Sequence, residues 1–544
     1  MTVLKPNEIF QRLRDGRTLV TGNSRLARVL SGHYSQWRMQ QGDRQWASPS
    51  VCSWSAWIDR LWAQATLDGA VDSVQAIPNQ QQLTSLWERV LAESGHAGSL
   101  LRPQALAVQM RDTRRMAVEW NMDLSHPAWH GEHGDNHEAF RLWNMAFESL
   151  CRNEGWLPPE DRTTLLTRAG KEAAFKAENT IDLLGFDEIN PTQAALLDAL
   201  RNSGSHIREV RIKPQPGERT AWKADNHREE LDAMARWVRL RYEEDPDATI
   251  AVVVADLEAR RGEVENALRN ILLPDPDMAG ITEKPWNLSL GIPLACVPMI
   301  ESAFDLLGLL EYHVDIQTVG RVLRSPWIRG AAAERTRRSL LEARLREIYP
   351  RQFRPAEIKD QAEQLRTRDR DGRELPPEQQ QPQPWRSPEL ARLLQPLLDY
   401  ARVQSGKKQP SAWADAFEKL LGRTGWPFDA ETQALSGPEH DSAWQAYQHW
   451  QEALRQLASL DATSRVIYRN EAISLLHRIC RESVFQPRTR PVRIQVLGLY
   501  EISGLRFDHL WVLGLHNDNW PPSARPNPFI PRSLQPQYGL PHSN

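Results

Sequence analysis

The chain has 544 residues, 40% hydrophobic and 25% charged, with a formal net charge of −3. That length exceeds one ordinary core, so several domains are expected; the composition excludes a disordered chain, and no apolar run approaches a membrane span. The charge balance offers no global argument for nucleic acid. The charged opening MTVLKPNEIFQRLRDGR lacks a signal-peptide apolar stretch, which makes the cytoplasm the expected compartment.

The first strong element is Thr18–Thr21 (TLVT), a short apolar strand running through Gly22-Asn23-Ser24 into a helix with Leu26, Val29, Leu30, His33 and Trp37 at helical spacing. Asn23 or Ser24 is the expected cap. Strand, tight turn and helix open many nucleotide-binding α/β domains. Roughly the next 130 residues carry Trp- and Gln-studded helical patterns with few strand signals, a helical insertion. Thr180–Gly185 then predicts a strand, a helix follows from Thr192, and His206–Ile212 alternates as another strand. Asn226 and Glu229 have capping-box spacing, and Thr249–Ala255 (TIAVVVA) has the continuous apolar character of a buried parallel strand. After Pro298 the pattern is helical again, with an Arg-rich stretch over Arg335–Arg354 and a Pro/Gln-rich segment, Asp369–Pro388, expected to be a solvated loop. Arg493–Leu497 and His509–Leu513 predict two last strands.

The expected fold class is therefore α/β, with two parallel-sheet domains, each interrupted by a helical insertion. The boundaries are 1–72 and 176–215 for the first sheet domain around an insertion at 73–175. The second sheet domain takes 216–300 and 488–544, around an insertion at 301–487 that contains the loop 369–388. Cys52, Cys151, Cys296 and Cys480 are scattered without metal-ligand spacing and are expected to be buried thiols. Only 10 of the 67 basic residues are lysines, leaving 57 arginines; a G/C-rich genome is the first explanation, and arginine also suits phosphate contacts. Most of the 21 tryptophans are expected in cores.

Val492–Pro521 (VRIQVLGLYEISGLRFDHLWVLGLHNDNWP) resembles the motif-V region of UvrD/RecB-type helicases, and more closely that of AddB-type subunits, with Ser503-Gly504-Leu505-Arg506 in the Lys-Gly-Leu-Glu place. Ser48–Trp62 resembles their motif Ia, Leu183–Leu200 their motif II, Asn226–Leu257 the opening of the second motor domain, and Leu323–Trp327 the start of a second insertion. The motifs follow family order along nearly the whole chain. The resemblance is to the AddB/RecC-type DNA-repair proteins, and it implies two RecA-like domains in an inactivated superfamily-one helicase architecture.

A P-loop needs GxxxxGK[ST], because backbone N–H groups and one lysine hold phosphate while the hydroxyl binds Mg²⁺. With Gly22 as the first glycine, the later places fall on Ala27, Arg28 and Val29, and no lysine occurs between Lys5 and Lys171. ATP hydrolysis by the usual route is not expected. Gly22, Asn23, Ser24 and Arg28, with the acidic pair Asp187 and Glu188, would form a degenerate nucleotide site. In one frame the acidic pair stands in the Walker-B place; in the other Leu184 does. The pair is expected to be a relic or to cap the helix that follows.

The resemblance further implies single-stranded DNA crossing the strand tops, with Arg25, Ser53, Trp54, Ser503 and Arg506 in contact-forming places and Arg25 and Arg28 on an exposed face. For each residue taken alone, a packing or surface role is the more frequent one. No catalytic residue and no metal site is expected in this chain. The triplet Glu357-Ile358-Lys359, which could suggest a PD-(D/E)xK nuclease, has no strand-borne Asp before it. The nuclease that such proteins carry, with Mg²⁺ and an iron–sulfur cluster, is expected beyond Asn544. The leading expectation is a DNA-binding, non-ATPase subunit of a double-strand-break helicase-nuclease, in contact with single-stranded or forked DNA and a UvrD/AddA-like helicase, and no membrane. An active helicase or exonuclease, and a helical interaction scaffold without DNA binding, are the alternatives.

Overall fold

The computed structural model describes residues 2–71, 75–94, 103–130, 136–213, 217–274, 284–348, 352–366, 376, 381–403, 406–427, 438–487, 492–517, 519–520, 524–541 and 543. The chain divides into two compact units: Met1–Gly280 with Lys284–Leu290 and Pro491–Asn544, and Ile281–Glu283 with Gly291–Arg490.

The first unit begins with β1 (Thr2–Leu4), α1 (Pro6–Arg14), β2 (Thr18–Thr21), α2 (Ser24–Gln40), β3 (Val51–Ser53) and α3 (Trp54–Leu67). Helices α4 (Gln80–Glu93), α5 (Pro103–Glu119), α6 (Asn136–Glu154) and α7 (Asp161–Lys171) precede β4 (Thr180–Leu184), α8 (Pro191–Asn202) and β5 (His206–Ile212). The sheet is parallel throughout, in the order β1-β5-β4-β2-β3. Every residue of β2 is buried, because alternate side chains meet helices on both faces. Leu19 and Leu184 join the core under α1 and α2, while Val20 and Leu183 join the one under α3, α7 and α8. Strand β1 escaped the sequence reading because it has three residues, with Val3 exposed and Leu4 buried.

A second parallel sheet follows in the same unit. Helix α9 (His227–Glu244) leads into β6 (Ile250–Val254), then α10 (Leu257–Leu272) and β7 (Trp286–Leu288). All five residues of β6 are buried.

The second unit is helical. It comprises β8 (Ile292–Pro293), α11 (Pro298–Gly308), β9 (Val314–Asp315), α12 (Ile316–Arg324), α13 (Arg335–Ile348), β10 (Gln352–Phe353), α14 (Pro355–Glu363), β11 (Leu365–Arg366) and β12 (Gln381–Pro382). Helices α15 (Pro388–Val403), α16 (Pro410–Arg423), α17 (Pro438–Ser459) and α18 (Arg469–Glu482) and strand β13 (Val484–Phe485) complete it. Buried Trp413, Phe417 and Trp450 anchor its core. The Pro/Gln-rich segment is not wholly a solvated loop. Most of 369–380 lies outside the described residues, but Gln381–Pro382 pairs with β11 and Ser387 is fully buried. Trp385 packs against the core beneath the Arg344 guanidinium.

The chain then returns to the first unit with β14 (Ile494–Gly498), β15 (His509–Leu513) and the short α19 (Leu534–Gln537). The second sheet has the order β15-β6-β14-β7, and its pairings are parallel. The protein is thus mixed α/β, with two parallel sheets and helical insertions in the sequence of each. No described helix is long and apolar enough to cross a membrane.

Two further expectations need correction. Of the four thiols, Cys151 and Cys480 are buried, with pKa values pushed up to about 12 by desolvation, but Cys52 is half-buried and Cys296 is exposed. The buried stripe of α2 turns through Ala27 and Tyr34, leaving His33 on the outside.

Candidate functional site

The C-terminal ends of β2, β3 and β4 feed directly into α2, α3 and, through a short loop, α8. A cleft of about 500 Å³ opens there, bordered by Gly22–Ser24, Ser53–Ser55, Gly185–Glu188, Gln193 and Ser503. A second cleft, about 830 Å³, shares Gly185–Glu188 and Ser503 and extends past Glu209–Ile212 to Arg506, Phe507 and Leu510.

The turn from β2 to α2 decides what the first cleft can do. Only Gly22 and Asn23 separate Thr21 from Ser24. The Gly22 N–H donates to the Leu184 carbonyl at 3.1 Å, and a Cβ at Gly22 would collide with the Gly185 carbonyl oxygen. Asn23 is the cap: its side chain accepts from the Leu26 N–H at 2.8 Å, while the Thr21 hydroxyl donates to the Asn23 carbonyl at 2.7 Å. Ser24 is exposed as the first helical residue.

Behind this turn sits Leu26, 1% exposed. Gly185 (φ +73°) and Gly504 (φ +76°) press against it; a Cβ on either would come within 2.6 and 2.7 Å of the Leu26 Cδ2 atom. Both glycines occupy the left-handed region that other residues rarely enter. A phosphate-holding loop requires several backbone N–H groups arched around an anion. Here the turn is two residues long, its Gly22 N–H is already bonded to the Leu184 carbonyl, and the Leu26 side chain lies against Gly185 and Gly504.

The two arginines in the first turns of α2 differ. Arg28 is exposed, as expected. Arg25 is not on an exposed face: its guanidinium donates to Gln495 Oε1 at 3.2 Å and lies 4.0 Å from Glu501, because β14 and the turn after it pack there. Burial pulls the Arg25 pKa below its ordinary value, with Glu501 opposing.

Asp187 and Glu188 are exposed in the β4–α8 loop. They do not cap α8. Asn190 does, accepting from the Gln193 N–H at 2.8 Å while the Gln193 side chain accepts from the Asn190 N–H at 3.0 Å. Asp187 instead accepts from the Ser503 hydroxyl at 3.2 Å. That bond joins the loop after β4 to the Ser503–Arg506 segment after β14. Leu505 packs on the core under α2, and Arg506 is exposed at the mouth of the larger cleft.

Ser53 caps α3, its hydroxyl accepting from the Ala56 N–H at 3.4 Å. Trp54 is half-buried, edge-on to Trp57 (ring centroids 5.2 Å apart) and to Phe186 (6.0 Å). Trp57 is fully buried and its indole N–H donates to Glu178. Glu357 and Lys359 lie in α14; Glu357 accepts from the Arg354 N–H at 2.9 Å and Lys359 pairs with Glu363 at 2.9 Å, both local helical contacts. Among the described residues no group of three or more His, Cys, Asp or Glu is arranged to hold a metal ion.

The predicted nucleotide-site and strand-top residues therefore do converge, all but Arg28 and Arg25 lining one of the two clefts. Sequence reasoning missed the enclosure of Leu26 by Gly185 and Gly504, Phe186 as the partner of Trp54, and Gln495 and Glu501 as the partners of Arg25. A tight two-residue turn after a buried strand was the available signal for the first. Compared with known proteins, the chain matches no family model and no curated protein.

Proposed function

We propose that this chain binds single-stranded or forked DNA without turning over nucleotide, as the helicase-shaped subunit of a cytoplasmic bacterial helicase-nuclease for double-strand-break repair, beside an active UvrD/AddA-like helicase. The observation that carries the reading is the pairing of a closed β2–α2 turn with open clefts above the same strand ends. A β2–α2 turn of two residues, too short for a phosphate loop, leaves the strand tops open to another ligand. Exposed Arg28 and Arg506 supply cations for a backbone, and the Trp54–Phe186 edge supplies aromatic surface for a base. The motif order along the chain supports the same assignment.

Such binding is driven by release of counterions from the nucleic acid, so affinity should be on the order of 10⁻⁴–10⁻⁶ M at physiological salt and should fall as salt rises. Fluorescence anisotropy of a labelled oligonucleotide, titrated with the full chain at several salt concentrations, measures this. Arg506→Ala should weaken binding to all sequences alike and flatten the log–log salt slope by about 0.7 for a single strand. Absence of binding even at low salt would overturn the reading in favour of an interaction scaffold.

A further inference from the structure

We infer that the helical unit carries its own contact for single-stranded nucleic acid, built on Lys407, Arg465, Tyr468 and Arg469 where the loops before α16 and α18 are bridged. This deepens the DNA-binding reading and takes from it the choice of ligand, but it stands on residues separate from the strand-top clefts.

The two loops are pinned together by a short backbone bridge. The Lys408 N–H donates to the Ile467 carbonyl at 3.0 Å, and the Ile467 N–H donates to the Lys408 carbonyl at 2.8 Å. The bridge turns Lys408 inward, where its ammonium lies 4.9 Å from the Trp413 ring centroid and 5.9 Å from that of Tyr400. Lys407, the next residue back, faces out, with its ammonium 4.7 Å from the ring centroid of Tyr468. Tyr468 is 52% exposed. Arg465 is exposed three residues before it, and Arg469, half-buried, follows it.

The charge is uncompensated. Among the described residues none of Lys407, Lys408, Arg465 or Arg469 has a carboxylate within ion-pairing distance. Nearby acids are used otherwise: Glu471 accepts from the Tyr468 N–H at 2.7 Å, and Asp461 from the Ser411 N–H at 2.9 Å. Elsewhere in the unit Arg321, Arg324, Arg338, Arg344, Arg346 and Arg354 pair with Asp or Glu, whereas among the described residues Arg335, Arg337, Arg423 and Arg481, like this cluster, have no such pair. Two of the chain's ten lysines sit side by side at this one place.

Unpaired cations beside a half-exposed ring are what a single strand requires. Phosphates neutralise the lysine and arginines, and an unstacked base lies on the phenol face. The lysine above the Tyr468 ring holds it against the bridge, so little side-chain freedom remains to be lost on binding. A duplex would engage the cations and leave the ring unused, which makes the ring the discriminating element.

The test uses the full chain and a labelled oligothymidylate, with anisotropy over a salt series and ultraviolet crosslinking of an iodouracil-substituted strand followed by peptide mapping. Lys407→Ala with Arg465→Ala should flatten the salt slope by about 1.4, at roughly 0.7 per lost contact. Tyr468→Ala should weaken binding roughly five- to hundred-fold, Tyr468→Phe should retain it, and the crosslink should map to the peptide containing Tyr468. These losses should persist in an Arg28→Ala/Arg506→Ala background. Unchanged affinity and slope in the Tyr468 and Lys407 variants of a chain that does bind would overturn this contact and leave the strand-top reading standing. Loss with these variants alone, and none with Arg28→Ala/Arg506→Ala, would uphold the contact and overturn the strand-top assignment. A chain that binds no oligothymidylate at any salt overturns both.

Discussion

At Leu26, side-chain volume sets how closely two loops can approach. The leucine is buried between two positive-φ glycines, one after β4 and one after β14. Leu26 has little room to retreat, since Gly185 and Gly504 meet the same methyl group. Gly504→Ala should therefore cost about 2–4 kcal/mol, combining left-handed strain with overpacking. Gly16→Ala is the matched control: its φ is +83° with open space around the new methyl, so the cost should stay near 1 kcal/mol. Denaturant midpoints of the two variants measure the difference, and equal midpoints would contradict the enclosure of Leu26.

Asp508 illustrates a residue-scale effect that depends on pH. Its carboxylate accepts from the Thr249 N–H at 2.8 Å and the Thr249 hydroxyl at 2.7 Å, which holds its pKa below the ordinary carboxylate value. A depressed folded-state pKa contributes stability that is complete above the unfolded value, near pH 4, and is lost as pH falls through the folded value. Asp508→Asn should remove that part of the acid sensitivity while leaving stability above pH 6 little changed in its pH slope. Thermal melts between pH 2 and 7 read the outcome.

At the scale of elements, β2 passes into α2 through only Gly22 and Asn23, too short a turn to arch several N–H groups around a phosphate. Placing a lysine in α2 by Arg28→Lys should not create nucleotide binding, because the residue lies one turn inside α2 and Asn23 already caps the helix. Calorimetry with ATP and Mg²⁺ should detect no binding in either the native chain or this variant; micromolar affinity in either would refute the closed junction. The cap also shows how far local pattern carries. Asn190-Pro191 with Gln193 spells a helix start in sequence, yet the acidic pair just before it was the more conspicuous feature. Capping depends on which side chain reaches the first N–H groups, and Asp187 lies too far back along the loop.

At the scale of the first unit, the segment after β15 closes the structure. Phe529, Ile530, Leu534 and Leu540 are buried in the core of α4, α5 and α6, far away in sequence. The Asn527 amide donates to the Thr113 hydroxyl at 3.0 Å, and the Trp120 indole donates to the Gly539 carbonyl at 3.2 Å. Phe529→Ala should cost about 3–5 kcal/mol and raise hydrogen exchange in α4, α5 and α6; protection unchanged in those helices would show that the segment adds nothing to their core.

Strands β2, β4, β6 and β15, and the helices between them, were legible because each announces itself within a few residues, through apolar runs, periodicity and caps. From these patterns alone followed an α/β chain with two parallel sheets, and the absence of a P-loop lysine was equally plain. What the sequence did not reveal were pairings between residues hundreds of positions apart: Leu26 with Gly504, Arg25 with Gln495, Asp187 with Ser503, Thr113 with Asn527. Local propensity reports on neighbours along the chain, whereas burial of Arg25 or enclosure of Leu26 depends on which distant segment arrives beside it. Only tertiary structure, in which packing closes the strand ends against each other, decided that Leu26 is enclosed by Gly185 and Gly504 and that Arg25 is tied to Gln495.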